Sequence, residues 1–258
     1  MASTLRRTWD PAWERIVTVS TRLGDRLLRV IDRVIAKYSL IPNQPFFDPD
    51  DFAWVAPIEA EWKTIRAELD DVLGYQDALP NFQDISVDQL SLTDDDRWKT
   101  FFFYGYGFKS EPNCARCPET ARIVERIPGM QTAMFSILAP HKRLPPHTGP
   151  YKGVLRYHLG LVIPASDDRV GITVGGQTAH WEEGKSLVFD DTFEHTAWNE
   201  TDETRVVLFV DVVRPLRQPV KSFNDFMIKA IGYSPFIQDA RKRHEDWERR
   251  FERMRGGS

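Results

Sequence analysis

Two of the six histidines stand where they could do chemistry. His147 follows Pro145-Pro146 and opens the run His147-Thr148-Gly149-Pro150, and His195 closes the run Phe189-Asp190-Asp191-Thr192-Phe193-Glu194-His195. Neutral imidazole nitrogen binds iron, copper, zinc and nickel. The usual non-haem iron triad adds a carboxylate close to the first histidine, and two positions after His147 the chain has Gly149. On spacing alone a metal pair and two satisfied structural histidines are both open readings. Arg156 and His158 lie two residues apart in an apolar run, so one strand face carries both. For Arg156 the plain reading is an ordinary structural salt bridge.

The remaining histidines are weaker candidates. His141 precedes His147 in the same turn and is an alternative ligand; His180, beside Trp181, reads as structural; His244 lies in a charged helical stretch and reads as solvated. The two cysteines form Cys114-x-x-Cys117. A lone pair of thiols cannot complete a four-ligand zinc site, and no strand-then-helix redox context surrounds it, so two reduced thiols in a surface loop are expected.

These residues need elements to hold them. Apolar stretches at 132–138, 155–162, 171–174, 186–189 and 206–212 read as short strands between Gly-, Pro- and Asp-rich turns. Gly175-Gly176 and Glu183-Gly184 are hairpin-turn candidates. That spacing predicts a mainly β sandwich or barrel. His147 is expected in the Pro-rich turn at its mouth, and His195 just after a buried strand. Ahead of the sandwich, residues 8–38 read as one amphipathic helix with Ile16, Val19, Leu23, Leu27, Val30, Ile31 and Val34 on its apolar stripe. The stripe could dock on the body of the protein or lie on an anionic membrane. Residues 38–51, with three prolines, read as an extended linker. A helix follows over 55–73, then an acidic loop over 75–97, a strand over 98–108 and a helix over 118–126. After Pro215 the chain reads as helical and basic. The expected units are an N-terminal helix and linker (1–45), a β domain (46–216) and a basic helical extension (217–258).

The net charge of the 258 residues is −4, unevenly spread. Residues 1–37 carry a net +4 and residues 214–258 a net +5, leaving −13 between them. That asymmetry bears on partners rather than on fold; no nucleic-acid partner is expected. No signal peptide and no apolar run of membrane-spanning length is visible. The expected compartment is the cytoplasm, with peripheral attachment to the inner face of the membrane as an alternative.

The wider pattern is more specific than the two histidines. His-Thr-Gly-Pro at 147–150, Leu-Arg-Tyr-His-Leu-Gly-Leu at 155–161, Trp-Glu-Glu-Gly-Lys at 181–185, Phe-Asp-Asp-Thr-Phe-Glu-His at 189–195 and Leu-Phe-Val-Asp-Val-Val-Arg-Pro at 208–215 occur in order. This block resembles the aspartyl/asparaginyl β-hydroxylase family of Fe(II)- and 2-oxoglutarate-dependent oxygenases. The resemblance implies a double-stranded β-helix (jelly-roll, cupin-like) core with N- and C-terminal helices. It also implies a two-histidine iron site in which Gly149 is the family's own pattern. By that carry-over His147 and His195 hold Fe(II), Arg205 and Ser136 hold the distal carboxylate of 2-oxoglutarate, His158 contacts the carboxylate nearer the metal, and Arg156 faces the substrate. The implied reaction spends O2 and 2-oxoglutarate, releases succinate and hydroxylates an unactivated C–H bond. The implied substrates divide. An aspartyl or asparaginyl side chain, in a peptide or small molecule, is placed first. Acyl chains of lipid A or ornithine lipid type are the alternative, because Tyr151 to His158 resemble bacterial lipid hydroxylases. A non-catalytic metal-binding β-sandwich is the remaining alternative.

Overall fold

The computed structural model describes residues 27–85, 93 and 95–255. Its core is a pair of facing antiparallel sheets. The eight core strands are β4 (Met130–Leu138), β5 (Lys142–His147), β6 (Val154–Val162), β7 (Val170–Val174), β8 (Gln177–Ala179), β9 (Ser186–Phe189), β10 (His195–Asn199) and β11 (Arg205–Val213). Three further strands, β1 (Phe46–Phe47), β2 (Trp98–Gly105) and β3 (Phe108–Lys109), extend one sheet to the order β1-β9-β6-β11-β4-β2-β3, while the other runs β5-β10-β7-β8. Distributing eight consecutive strands this way is the jelly-roll order, as the resemblance implied.

Side-chain alternation explains why the large sheet can be covered on both faces. On β11, Val206, Leu208, Val210 and Val212 join the main core cluster, whereas Arg205, Phe209 and Asp211 line the cavity between the sheets. Neighbouring β6 divides the same way, with Leu155, Tyr157 and Leu159 outward and Arg156 and His158 inward. The outer face is packed by helices: α2 (Val55–Glu59), α3 (Trp62–Leu73), α6 (Pro118–Val124) and the far end of α8 (Pro235–Arg255). Val55, Ile65, Leu69, Val124, Trp247 and Phe251 are all nearly inaccessible there. Each such side chain contributes on the order of 1.5–3 kcal/mol through burial.

Several expectations need correction. The predicted helix over 55–73 breaks at Ala60-Glu61 into α2 and α3, with Gly74 as the final cap. The predicted strand over 98–108 is the β2–β3 hairpin, turned by Tyr106 and Gly107 at positive φ. The linker is no free tether: Ser39 bridges to Leu216, and β1 pairs with β9. Lys142–His147, expected as a turn, is strand β5 at the edge of its sheet, and its pairing with β10 shifts register opposite Pro145-Pro146, where the ladder can lack their hydrogen bonds. His195 opens a strand rather than following one. Gly175-Gly176 does turn the β7–β8 hairpin, with both φ positive, whereas Gly184 has positive φ in a turn that leads into β9 without making a hairpin. Cys114 lies in α5 (Glu111–Arg116) and Cys117 at the junction with α6; both are buried, and burial pushes both thiols above their ordinary range.

The first and last described helices pack on the fold. Of the predicted helix over 8–38, residues 8–26 lie outside the described residues, and residues 27–38 form α1. Ile35, with Ile31 behind it, docks on Tyr151, Val154, Leu216 and the helix α7 (Val220–Gly232). Leu27, Val30 and Val34, placed on the docking stripe by spacing, are exposed. The boundaries at 45/46 and 216/217 therefore do not coincide with breaks in packing.

Candidate active site

His147 and His195 meet because β5 and β10 pair with those two residues in register. Their ring centroids are 4.0 Å apart. Each ring is oriented by its own strand end: His147 Nδ1 donates to the Pro145 carbonyl at 2.8 Å, and His195 Nδ1 to the Phe193 carbonyl at 3.0 Å. With the proton fixed on Nδ1, Nε2 of both rings keeps its lone pair, the form a metal needs. Burial holds both imidazoles below their usual range, and for His195, with His147 and Arg156 adding to the effect, down to about 3. Both rings are neutral near pH 7.

Across the cavity, the large sheet places a buried guanidinium that has no anionic partner among the described residues. Arg205 is 2% exposed and stacks over Trp181, its guanidinium carbon 4.6 Å from the ring centre. Its Nη1 donates at 3.4 Å to the Ser136 carbonyl; its Nε has no partner, and no carboxylate reaches it among the described residues. Burial with no compensating anion pulls this guanidinium down to about 9. An unpaired buried cation is costly, and a bound carboxylate would relieve that cost. Ser136 accepts a hydrogen bond from Trp98 Nε1 at 3.1 Å, leaving its hydroxyl hydrogen free to donate. His158, buried against Phe189, Phe209 and Trp181, has both ring nitrogens without a partner. Burial first, then Arg156, Arg205 and His195, push it far below its ordinary range, so it too is neutral and can donate one N–H.

The residues fit iron and 2-oxoglutarate on these observations: two rings presenting free Nε2 atoms, and an orphaned guanidinium flanked by a free hydroxyl and an unpartnered imidazole. No group of three or more His, Cys, Asp or Glu among the described residues is arranged to hold a metal ion.

Sequence reasoning missed what fills the place of the absent carboxylate. A Cβ on Gly149 would fall 2.2 Å from Oδ2 of Asp191, and Gly149 N donates to the Asp191 carbonyl at 2.7 Å. Residue 149 is glycine here because the loop between β9 and β10 already puts a carboxylate in that space. Burial raises Asp191 to about 6, with Arg156 opposing. Arg156 is not free: it pairs with Asp191 at 2.9 Å and Asp211 at 3.2 Å, and lies over Phe209. A substrate acid group would have to compete with both carboxylates. Asp190, one residue earlier, is a structural hub, accepting from Lys152 Nζ at 2.6 Å, from Arg214 and from Thr192. The run Asp190-Asp191 was the available signal; the loop between β9 and β10 turns Asp191 into the cavity and Asp190 away from it.

The other histidines are placed as follows. His141, at φ 55°, points to Asp202 and takes no part. His180 donates from Nδ1 to the Val170 carbonyl, a structural role. His244 is the correction: it is 2% exposed rather than solvated, sits beside Glu248, and lines the cavity between Phe102 and Phe108. The cavity encloses about 410 Å³, within the usual range for small-molecule sites, and much of its wall is aromatic or aliphatic.

The family model for aspartyl/asparaginyl beta-hydroxylase matches residues 59–215. The ornithine lipid ester-linked acyl 2-hydroxylase of Rhizobium tropici is 51% identical over 215 residues, 83% of this chain and 76% of that protein. The human aspartyl/asparaginyl beta-hydroxylase is 33% identical over 184 residues, covering 68% of this chain but 23% of that much longer protein. Among solved structures, the Schizosaccharomyces pombe Cnp3 cupin domain aligns at 12% identity with a TM-score of 0.32, over 57% of this chain and 79% of that one. With the family model spanning both histidine strands, the chain belongs to the aspartyl/asparaginyl β-hydroxylase family, a family of hydroxylases.

Proposed function

We propose that the chain is an Fe(II)- and 2-oxoglutarate-dependent dioxygenase that hydroxylates an unactivated C–H bond in a lipid acyl chain. The observation that carries the reaction type is Arg205, a buried guanidinium with no anionic partner beside two metal-ready histidines. His147 and His195 would hold iron through Nε2. Arg205 and Ser136 would hold the distal carboxylate of 2-oxoglutarate, and the His158 N–H would meet the carboxylate nearer the metal. Bound iron with 2-oxoglutarate and O2 supplies the oxidising power to exchange an inert C–H for C–OH. The chain's own part is to orient those groups, exclude water with Trp98, Trp181 and Phe189, and hold one substrate carbon in place.

The acyl reading is preferred over an aspartyl or asparaginyl side chain for two reasons. The 51%-identical relative is named for acyl 2-hydroxylation of ornithine lipid. Arg156, the residue expected to face a substrate acid, already has its charge met by Asp191 and Asp211. A lipid substrate also implies contact with a bilayer. No described helix is long and apolar enough to cross a membrane, so the contact proposed is peripheral.

The test is direct. Purified protein with Fe(II) should consume 2-oxoglutarate and release succinate, and should add the mass of one oxygen atom to ornithine lipid presented in detergent micelles. Oxygen added only to Asp- or Asn-bearing peptides would replace the acyl reading. Neither binding nor consumption of 2-oxoglutarate would leave a non-catalytic metal-binding sandwich.

A further inference from the structure

Strand register lays the cavity floor out as rows. His158 pairs with Phe209, Phe209 with Met134, and Met134 with Phe102, giving one continuous row across β6, β11, β4 and β2. The row beside it reads Arg156, Asp211, Thr132, Gly105, Phe108, ending on β3. Polar and charged groups therefore sit at the β6 side of the floor, and the floor becomes apolar toward β2 and β3. Three strand spacings separate His158 from Phe102, about 14 Å. The roof at the apolar end comes from two helices. The short α4 (Phe82–Ile85) contributes Phe82 and Ile85, and the first half of α8 contributes Ile237, Ala240 and His244 from one face.

Two positions keep this trough open. A Cβ placed on Gly105 meets nothing within 4 Å, although the residue lies in the floor of the cavity. Above it, α8 presents the small Ala240 between Ile237 and the buried His244. Larger side chains at either position would fill the trough without touching the histidine and arginine cluster.

Resting on the acyl-chain reading above, we propose that this lateral trough seats the apolar tail of the substrate, running from the histidines across β11, β4 and β2 to α8. Gly105 and Ala240 then set how long a tail is accepted. The basic C-terminal helix is a wall of the substrate site rather than an appendage.

Saturated fatty acids of increasing length are suitable probes, with binding to the full chain read by displacement of a fluorescent fatty-acid analogue. Affinity should rise about three- to fourfold per added methylene until the tail reaches α8, then level off. In Gly105→Leu and Ala240→Leu the plateau should move to shorter chains while short-chain affinity stays as in the parent. The same variants in micelles should hydroxylate short-tailed lipid and lose long-tailed lipid. Gly105→Ala gives a graded version should the leucine variant fail to fold, which circular dichroism would reveal. Affinity independent of chain length in the parent protein, or long-chain binding unchanged in folded Gly105→Leu and Ala240→Leu, would overturn the proposal. The binding curves need neither iron nor 2-oxoglutarate. Failure of the oxygenase reading appears as absent 2-oxoglutarate consumption, and failure of the trough as flat binding curves with consumption intact.

Discussion

Arg205 makes opposite predictions for stability and for ligand binding. Arg205→Met removes a buried charge that no carboxylate of the described chain compensates, so the ligand-free protein should gain about 1–3 kcal/mol in urea unfolding. The same change should weaken 2-oxoglutarate at least about a hundredfold in calorimetric titration, because two charge-assisted hydrogen bonds are lost. Arg205→Lys should recover little, since a point charge cannot reproduce the planar fork. A structural arginine would lose stability on the same substitution. Gly149 makes a second prediction. Installing the carboxylate of the common iron triad, Gly149→Asp, should not improve the metal site. Its Cβ lands on the Asp191 carboxylate, so the variant should unfold earlier and bind Fe(II) more weakly. In a double-mutant cycle, Asp191→Ala should recover part of the stability lost in Gly149→Ala. His147, His158 and His195 stand inside the motifs that carry the family resemblance, Ser136 and Arg205 were carried over from the strands beside them, and the fold brings all five to one cavity. Asp191 was not, because only the pairing of the β5 and β10 ends puts it against Gly149.

At the scale of elements, β4, β6, β9 and β11 were readable from their apolar runs, which arise because the helices cover the outer face and the cavity the inner. β5 was not readable: Pro145 and Pro146 signal a turn, and only the edge of a sheet tolerates them. Three segments distant in sequence converge on the Asp190 carboxylate. Arg214 follows β11, Lys152 precedes β6, and Asp190 itself begins the loop that delivers Asp191 and His195. Arg214 and Asp190 are fully buried. Asp190→Asn keeps the shape and leaves two cations without their counter-ion, so a loss of about 3–5 kcal/mol is expected. The urea midpoint should fall with the slope unchanged. Residual metal affinity measured below that midpoint separates loss of fold from loss of the site.

The whole molecule presents an asymmetric surface. Basic ends flank an acidic middle, and the structure brings α1 and α7 together on one cluster with Tyr151 and Val154. On the outside of α7 and at its C-terminal cap, Phe223, Phe226 and Tyr233 recur at helical spacing; Phe226 is 65% and Tyr233 84% exposed. Phe236, at the start of α8, continues this aromatic face to the cavity wall. Lys229 flanks it, Lys221 pairs with Asp225 at 2.8 Å, and residues 214–258 carry a net +5. Aromatic side chains backed by lysines match the headgroup boundary of an anionic bilayer, where each cation contributes about 1 kcal/mol. The full chain should therefore pellet with phosphatidylglycerol-containing vesicles, more weakly as salt is raised. Phe226→Ser with Tyr233→Ser should reduce that binding about tenfold or more through lost apolar burial. Neither residue belongs to the cavity wall or the core, so hydroxylation of lipid dispersed in detergent should continue at the parent rate. Equal pelleting of parent and variant would refute the aromatic face as the contact. A parent protein that is dimeric in light scattering, and a monomeric variant, would assign the same face to a second copy of the chain.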